Sequence, residues 1–144
     1  MIVIRGFKDS YDKKYYVPIK IYSSVVEKFY SINFLIDTGA STTSISFTDA
    51  NGNAILYKYL EEHNVTTGGI GSGRVKRYVL SNIGIFFLTT ENKYWYYNTQ
   101  DIMIMDHETT EGKRLSSTPS LLGVDILNNF KLVIENDQAF LIHD

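Results

Sequence analysis

Hydrophobic and polar residues alternate along much of this chain, a pattern typical of β-strands that bury one face. In the stretch 29–36, for example, Tyr30, Ile32, Phe34 and Ile36 fall on one face of a predicted strand. Comparable patterns predict further strands at 1–7, 15–22, 42–47, 65–70, 74–80, 83–88, 101–105, 131–135 and 139–142, with turns at 23–28 and 136–137. We therefore expect a mainly β protein.

Helical spacing is confined to short segments. Residues 53–63 carry apolar side chains at 55, 56, 59 and 60, which predicts a helix capped by Thr48 or Asp49. Residues 119–130 predict a buried strand, a glycine and a short helix, whereas 106–118 is a polar stretch with little predicted order. One or two short helices are thus expected beside the strands.

Composition narrows the class of protein. With 144 residues, 44% of them hydrophobic, the chain can bury a core as a single domain spanning 1–144. Fourteen basic and sixteen acidic residues give a charge of -2, so we expect neither nucleic acid nor an anionic membrane as a partner. The chain has no cysteine, which excludes disulfides and thiol catalysis. No long apolar run or secretory signal pattern is evident, so a cytoplasmic protein is expected.

One carboxylate occupies an unusual place in this pattern. Asp37 directly follows the apolar residues 34–36, where an unpaired charge is costly. It therefore needs nearby donors, or a second carboxyl that shares its proton. The amides of Gly39 and Ala40 and the hydroxyls of Thr38 and Ser41 are candidate donors. Alone, however, Asp-Thr-Gly is also compatible with an ordinary turn.

A second candidate is the glycine-rich segment 68–73, which lies between two predicted strands. As a phosphate cradle it would need a helix directly after it, but residues 74–80 alternate like a strand and the glycine spacing misses the dinucleotide pattern. A hairpin tip is the better interpretation. It either closes over a ligand or is a mobile hairpin that makes no such contact.

The sequence Asp37-Thr-Gly-Ala-Ser41 resembles the active-site turn of the aspartic proteases. The glycine-rich tip follows in the place of their flap, and Leu121-Leu-Gly123 resembles their late apolar-apolar-glycine strand, with a helix and hairpin after it. In this order the motifs cover residues 15–142 and resemble the retropepsins, the single-domain branch. The likeness is closest to the retropepsin-like domain of the DNA-damage-inducible shuttle proteins, where a helix also separates the turn from the flap.

The resemblance implies a mainly β acid-protease fold: a closed β-barrel or sandwich with one flap hairpin and one or two short helices. Because the chain has a single Asp-Thr-Gly turn, it also implies a homodimer. Asp37 from each subunit would share one proton and activate a water that hydrolyses a peptide bond in an extended polypeptide. Such a dyad titrates as a pair, and it needs neither a cofactor nor a metal.

The same resemblance suggests roles for the neighbours of Asp37. Thr38 would hydrogen-bond across the dimer, and Gly39 would let the turn approach the substrate. Ser41 would donate to the outer carboxylate oxygen, although its hydroxyl could equally satisfy the turn alone. The expected substrate-contacting residues are Ala40, Gly69, Ile70 and Gly71.

Some positions depart from the retroviral pattern or allow other interpretations. Retroviral members have an acidic residue where this chain has Ser41 and an arginine where it has Val124, so the bracing of the turn must differ. The histidines His63, His107 and His143 lack ligand spacing, which indicates surface residues rather than a metal site. The aromatic run 94–97 favours packing on both faces of a sheet over a recognition surface. A non-catalytic peptide-binding or assembly module with this fold stays open, and a nucleotide-binding domain is a weaker alternative.

Overall fold

The computed structural model describes residues 1–55, 74–108 and 119–144. In this part of the chain, nine strands and two short helices occur in the following order: β1 Ile2–Lys8, β2 Tyr15–Ser23, β3 Lys28–Ile36, β4 Ser44–Ser46, α1 Phe47–Gly52, β5 Arg74–Leu88, β6 Tyr94–Glu108, β7 Ser120–Leu122, α2 Val124–Leu127, β8 Lys131–Glu135 and β9 Gln138–His143. The prediction of a mainly β protein with one or two short helices is confirmed.

The sheet closes on itself. Its strand order is β3-β7-β4-β6-β5-β2, and β2 also pairs with β3, so these six strands form a closed barrel. The strands β1, β9 and β8 extend the sheet beyond β2. Most pairs are antiparallel, but β3–β7 and β4–β6 are parallel. These parallel pairs bring segments that are distant in sequence to the same end of the barrel.

The two longest strands join segments that the sequence predicts as separate. Predicted strands 74–80 and 83–88 are one strand, β5, with a register shift between Leu80 and Ile83. Asn82 at this bulge has a φ of 54°, which is a left-handed conformation. The sequence around it therefore resembles a break between two strands, although the strand is continuous. Likewise β6 joins the aromatic run to 101–105 and continues to Glu108, into the predicted polar stretch. Within this extension, the Asp106 side chain faces inward like that of Ile104 and is buried.

The core fills the barrel with the inward-facing aliphatic and aromatic side chains. Ile32 and Phe34 of β3 are buried and Tyr30 and Ile36 pack beside them, as the alternation predicts. Other fully buried side chains come from all parts of the sheet: Ile4, Ile21, Ile45, Ile83, Phe87, Ile104 and Leu122. Burial of these side chains from distant segments makes the barrel the main source of stability.

A short helix that the sequence did not predict, α1, precedes the segment of the predicted helix. It spans Phe47–Gly52, and its cap is Ser46, whose Oγ accepts a hydrogen bond from the Asp49 amide at 3.1 Å. The predicted caps Thr48 and Asp49 are therefore wrong, and so is a helix over 53–55. Ala54 has a φ of 57°, a left-handed conformation that ends the helix. The remainder of the predicted helix, 56–63, lies outside the described residues.

The last part of the chain follows the prediction closely. The short helix α2 begins directly after Gly123. Strands β8 and β9 form a hairpin through Asn136 and Asp137, which both have positive φ, as a tight two-residue hairpin turn requires. β9 lies between β1 and β8, which leaves β8 at the edge of the sheet in the described part of the chain. No helix among the described residues is long and apolar enough to cross a membrane.

Candidate active site

Asp37 lies where β3 ends beside β7. Residues 34–36 pair in parallel with Ser120–Leu122, and the Asp37 amide donates to the Leu122 carbonyl oxygen at 3.1 Å. The pairing continues the ladder by one bond, so the carboxylate is held at the carboxyl end of two adjacent parallel strands. The Asp-Thr-Gly turn and the Leu-Leu-Gly segment, two motifs identified separately in the sequence, are thus neighbours in space.

The turn that follows directs one amide at the carboxylate. The Gly39 amide donates to Asp37 Oδ1 at 2.9 Å, as expected. A Cβ at Gly39 would lie 3.2 Å from that oxygen, so glycine allows the close approach. The Ala40 amide, expected to face the carboxylate, donates instead to the main-chain carbonyl of Asp37 at 3.2 Å. This bond closes the turn and leaves the other side of the carboxylate accessible.

The two hydroxyl residues of the motif face outward. Thr38 and Ser41 are exposed, whereas Asp37 is half-buried. Within the described residues neither hydroxyl reaches the Asp37 carboxylate, so the single chain does not contain the expected Ser41 bond. The role of Thr38 across a dimer stays a prediction. Gly69, Ile70 and Gly71 lie outside the described residues.

The late glycine packs against the turn without space for a side chain. The Val124 amide donates to the Ala40 carbonyl at 2.9 Å, which joins the start of α2 to the turn. A Cβ at Gly123 would lie 2.7 Å from the carbonyl carbon of Thr42 and 2.9 Å from the Ala40 oxygen. Because both are backbone atoms, a larger residue would displace the turn. Gly123 therefore sets how closely the two motifs approach.

A buried side-chain link joins the segment after the turn to the start of α2. The buried Thr43 hydroxyl donates to Asp125 Oδ1 at 2.7 Å and accepts from the Gly123 amide at 3.0 Å. The same carboxylate oxygen accepts from the Ile126 amide at 3.0 Å, in the first turn of α2. Sequence reasoning missed Thr43 and Asp125. Their signal was a hydroxyl shortly after the turn and an acid at the start of the predicted helix.

A second buried link holds β4 and α1 to β7. The Ser120 hydroxyl accepts from the Ser46 amide at 3.0 Å and donates to Asp49 Oδ2 at 2.5 Å. Ser120 is buried, so these bonds satisfy polar groups that would otherwise be costly inside the protein. Together with the pairing of β3 and β7, these bonds anchor the segments before and after the turn to the Leu-Leu-Gly strand.

The histidines are less exposed than the sequence suggested. His143 is half-buried, with its ring 5.1 Å from Trp95 and 5.6 Å from Phe130. Burial lowers the pKa of His107 below its ordinary value. These two side chains are thus partly buried rather than fully exposed, and His63 lies outside the described residues. In the described part of the chain, no group of three or more histidine and acidic side chains could hold a metal ion.

Among solved structures, a retropepsin-like aspartic protease from Rickettsia conorii superposes with a TM-score of 0.55. The match covers 96% of this chain and 89% of that protein, with 18% sequence identity. This chain has a retropepsin-like fold. The predicted resemblance and fold class are confirmed at that level.

Two further structures with the retropepsin-like fold superpose more loosely, at TM-scores of 0.46. One is EIAV protease in complex with an inhibitor, 18% identical, matched over 88% of this chain and 98% of that one. The other is the retroviral protease-like domain of Ddi1 from Leishmania major, 15% identical, matched over 83% and 79%. No protein-family model matches the sequence, and no curated protein does. A special closeness to the DNA-damage-inducible branch stays a prediction.

Proposed function

We propose that this protein is an aspartic endopeptidase whose active site forms between two copies of the chain. One observation carries the proposal: in a retropepsin-like fold, Asp37 stands at the end of two parallel strands with the Gly39 amide on its carboxylate. The turn around it is fastened to the Gly123 segment by main-chain and side-chain bonds. A carboxylate held this rigidly, yet half-exposed, suits catalysis better than a solvated turn does.

The chemistry follows from two such carboxylates at a two-fold axis. Two close carboxyls do not both ionise easily, so the pair holds one proton between them. The ionised carboxyl removes a proton from a bound water as the water oxygen attacks the scissile carbonyl carbon. The protonated carboxyl supplies its proton to the carbonyl oxygen. When the tetrahedral intermediate collapses, the carboxylate that gave up its proton takes one from a hydroxyl of the intermediate. The C–N bond breaks, and the other carboxyl protonates the leaving amine, which restores the single shared proton.

The need for a second copy rests on the arrangement of the single chain. It contains one Asp-Thr-Gly turn, and Thr38 and Gly39 beside Asp37 are exposed. A cavity of about 240 Å³ lies elsewhere, between the β2–β3 turn and residues 54–55 and 80–81, and it includes none of the turn. A cleft shared by two chains would account for an exposed turn. The edge strand β8 is available for pairing with a second copy.

The substrate would lie as an extended strand across the two turns. The glycine-rich tip at Gly69, Ile70 and Gly71 is proposed to cover it as a flap, and β5 begins at Arg74, shortly after these residues in the sequence. Ala40 would contact the substrate backbone from the turn side. Main-chain hydrogen bonds of this kind can form with many peptide sequences. The proposal therefore specifies a polypeptide substrate but no cleavage preference.

The proposal is tested by incubating the purified chain with an unfolded polypeptide, such as reduced and alkylated casein, across mildly acidic to neutral pH. We expect wild-type protein to cleave it and Asp37→Asn to leave it intact, with both variants equally folded by circular dichroism. Glu91→Gln, which changes an exposed carboxylate in the turn between β5 and β6, is the matched control and should retain activity. Equal cleavage by wild type and Asp37→Asn would disprove the enzyme assignment. Binding of the polypeptide without cleavage would favour the peptide-binding module instead.

A further inference from the structure

Aromatic side chains cover part of the outer face of the barrel, away from the core. On β3, β5 and β6 the rings of Phe29, Phe86, Tyr94 and Tyr96 face outward, while the alternate residue Phe87 is fully buried. Phe29, Tyr94 and Tyr96 are 51–56% exposed. Exposed apolar surface of this extent on neighbouring strands is typical of an interaction site rather than of scattered surface residues.

The rings form one connected surface. Tyr22 and Phe29 have centroids 4.8 Å apart, Phe29 and Phe86 are 5.6 Å apart, and Phe86 and Tyr96 are 5.4 Å apart. A Cβ at Gly84 would come within 3.2 Å of the Phe86 ring, so glycine makes room for that ring to lie flat on the strand. The contacts hold the rings in place before any partner arrives, which lowers the entropy cost of binding.

A groove crosses this surface, and a positively charged lysine side chain forms part of its lining. It has a volume of about 180 Å³ and is lined by Lys20, Phe29, Phe86 and Tyr94. The Lys20 ammonium lies 4.5 Å from the centroid of the Tyr94 ring. Lys20 lies opposite Phe86 in the β2–β5 ladder, and among the described residues no carboxylate forms a salt bridge with it. In that part of the chain, the groove therefore combines apolar walls with a positive charge that no salt bridge neutralises.

We propose that this aromatic groove binds a short acidic peptide segment of a partner protein, with an apolar or proline side chain between the rings and a carboxylate on Lys20. Aromatic grooves suit extended peptides because the rings present a large apolar area without ordering of flexible side chains. The positive charge selects carboxylates over ammonium groups. The site is separate from Asp37, and the proposal does not depend on the protease assignment.

Two short synthetic peptides test this groove. Both contain Leu-Pro-Phe-Pro, one flanked by glutamates and the other by lysines, and each carries a fluorescent dye for anisotropy measurements. The full-length Asp37→Asn chain is used so that the peptides stay intact. We expect the glutamate-flanked peptide to bind about tenfold more tightly than the other. Lys20→Glu should reverse that preference, and Phe29→Ser combined with Tyr94→Ser should weaken both by about tenfold.

The control is Tyr11→Ser, which changes a 94% exposed aromatic residue in the β1–β2 connection and should leave binding unchanged. Thermal unfolding verifies that each variant is folded. Three results would overturn the proposal: equal affinity of the two peptides for the Asp37→Asn chain with and without Lys20→Glu, binding of oligothymidylate in place of either peptide, or concentration-dependent self-association that Phe29→Ser abolishes. The second result would assign the groove to single-stranded nucleic acid, and the third to a second copy of this chain.

Discussion

The Thr43 hydroxyl donates to Asp125 Oδ1 at 2.7 Å, although the two residues are 82 positions apart in the sequence. Thr43 is only 4% exposed, and the same hydroxyl accepts the Gly123 amide. One side chain thus connects the segment after Asp37 to both the late glycine and the first turn of α2.

Replacement of Thr43 tests the strength of this link. Thr43→Val should lower the free energy of unfolding by about 1–3 kcal/mol, because the buried Gly123 amide loses its acceptor. Thr43→Ser keeps the hydroxyl and should recover most of that loss. Denaturant unfolding measures the effect as a shift in midpoint at constant slope. Thr42→Val, at the exposed neighbouring position, is the control, and an equal loss there would show that the hydroxyl contributes nothing specific.

Gly123→Ala tests the close packing of the two motifs. Its methyl group would lie 2.7 Å and 2.8 Å from the carbonyl carbon and oxygen of Thr42, so the turn must move. We expect a destabilisation of about 1–3 kcal/mol, together with loss of any activity that requires the turn geometry. Gly52→Ala is the matched control because nothing lies within 4 Å of its added carbon. That variant should be neutral or slightly stabilising, and similar behaviour of both variants would contradict the packing argument.

Mixed dimers test whether two copies of Asp37 form one site. Wild-type and Asp37→Asn chains are mixed in equal amounts and allowed to exchange subunits. If each site needs a carboxyl from both subunits, about a quarter of the dimers are active, whereas independent sites leave about half of the activity. Activity is measured before and after exchange at one total concentration. A value that stays at one half, or sedimentation as monomer alone at micromolar concentration, would contradict the shared site.

Tyr16 gives a prediction for alkaline pH. Burial, followed by the hydrogen bond that its hydroxyl donates to Asp12, raises the pKa of Tyr16 to about 12 from its ordinary value of 10.0. Between these values the unfolded chain releases this proton while the folded chain keeps it. The contribution of Tyr16 to stability is therefore present below pH 10 and is lost as the pH rises towards 12.

Denaturant unfolding at several alkaline pH values, with phenolate absorbance as a second probe, measures this effect. Tyr16→Phe should remove that part of the pH dependence, and Asp12→Asn should reduce it. The stacking of Phe7 on Tyr16, with centroids 5.8 Å apart, is available to phenylalanine as well, so Tyr16→Phe is expected to fold normally. An unchanged pH slope in Tyr16→Phe would assign the effect to other groups.

Some features of this fold could be predicted from local sequence, and others could not. The alternation around Ile32 and Phe34 predicted the buried face of β3, because the two-residue period of a strand is a local property. The bulge at Asn82 was missed, since pairing with β6 keeps β5 continuous through residues that locally favour a turn. The short helix α1 was missed because Ser46 caps it while its amide bonds to Ser120, a partner remote in the chain. The predictions for Gly69, Ile70 and Gly71 stay predictions.

By itself, the sequence determined the strand periodicity, the Asp-Thr-Gly and Leu-Leu-Gly motifs, and their likeness to the retropepsins. These features are encoded in residues close together in the chain. Only the tertiary structure decided that Asp37 lies beside Leu122, that Gly123 has no room for a side chain, and that Thr43 bonds to Asp125. Those relationships arise when the parallel pairing of β3 with β7 brings the two motifs together.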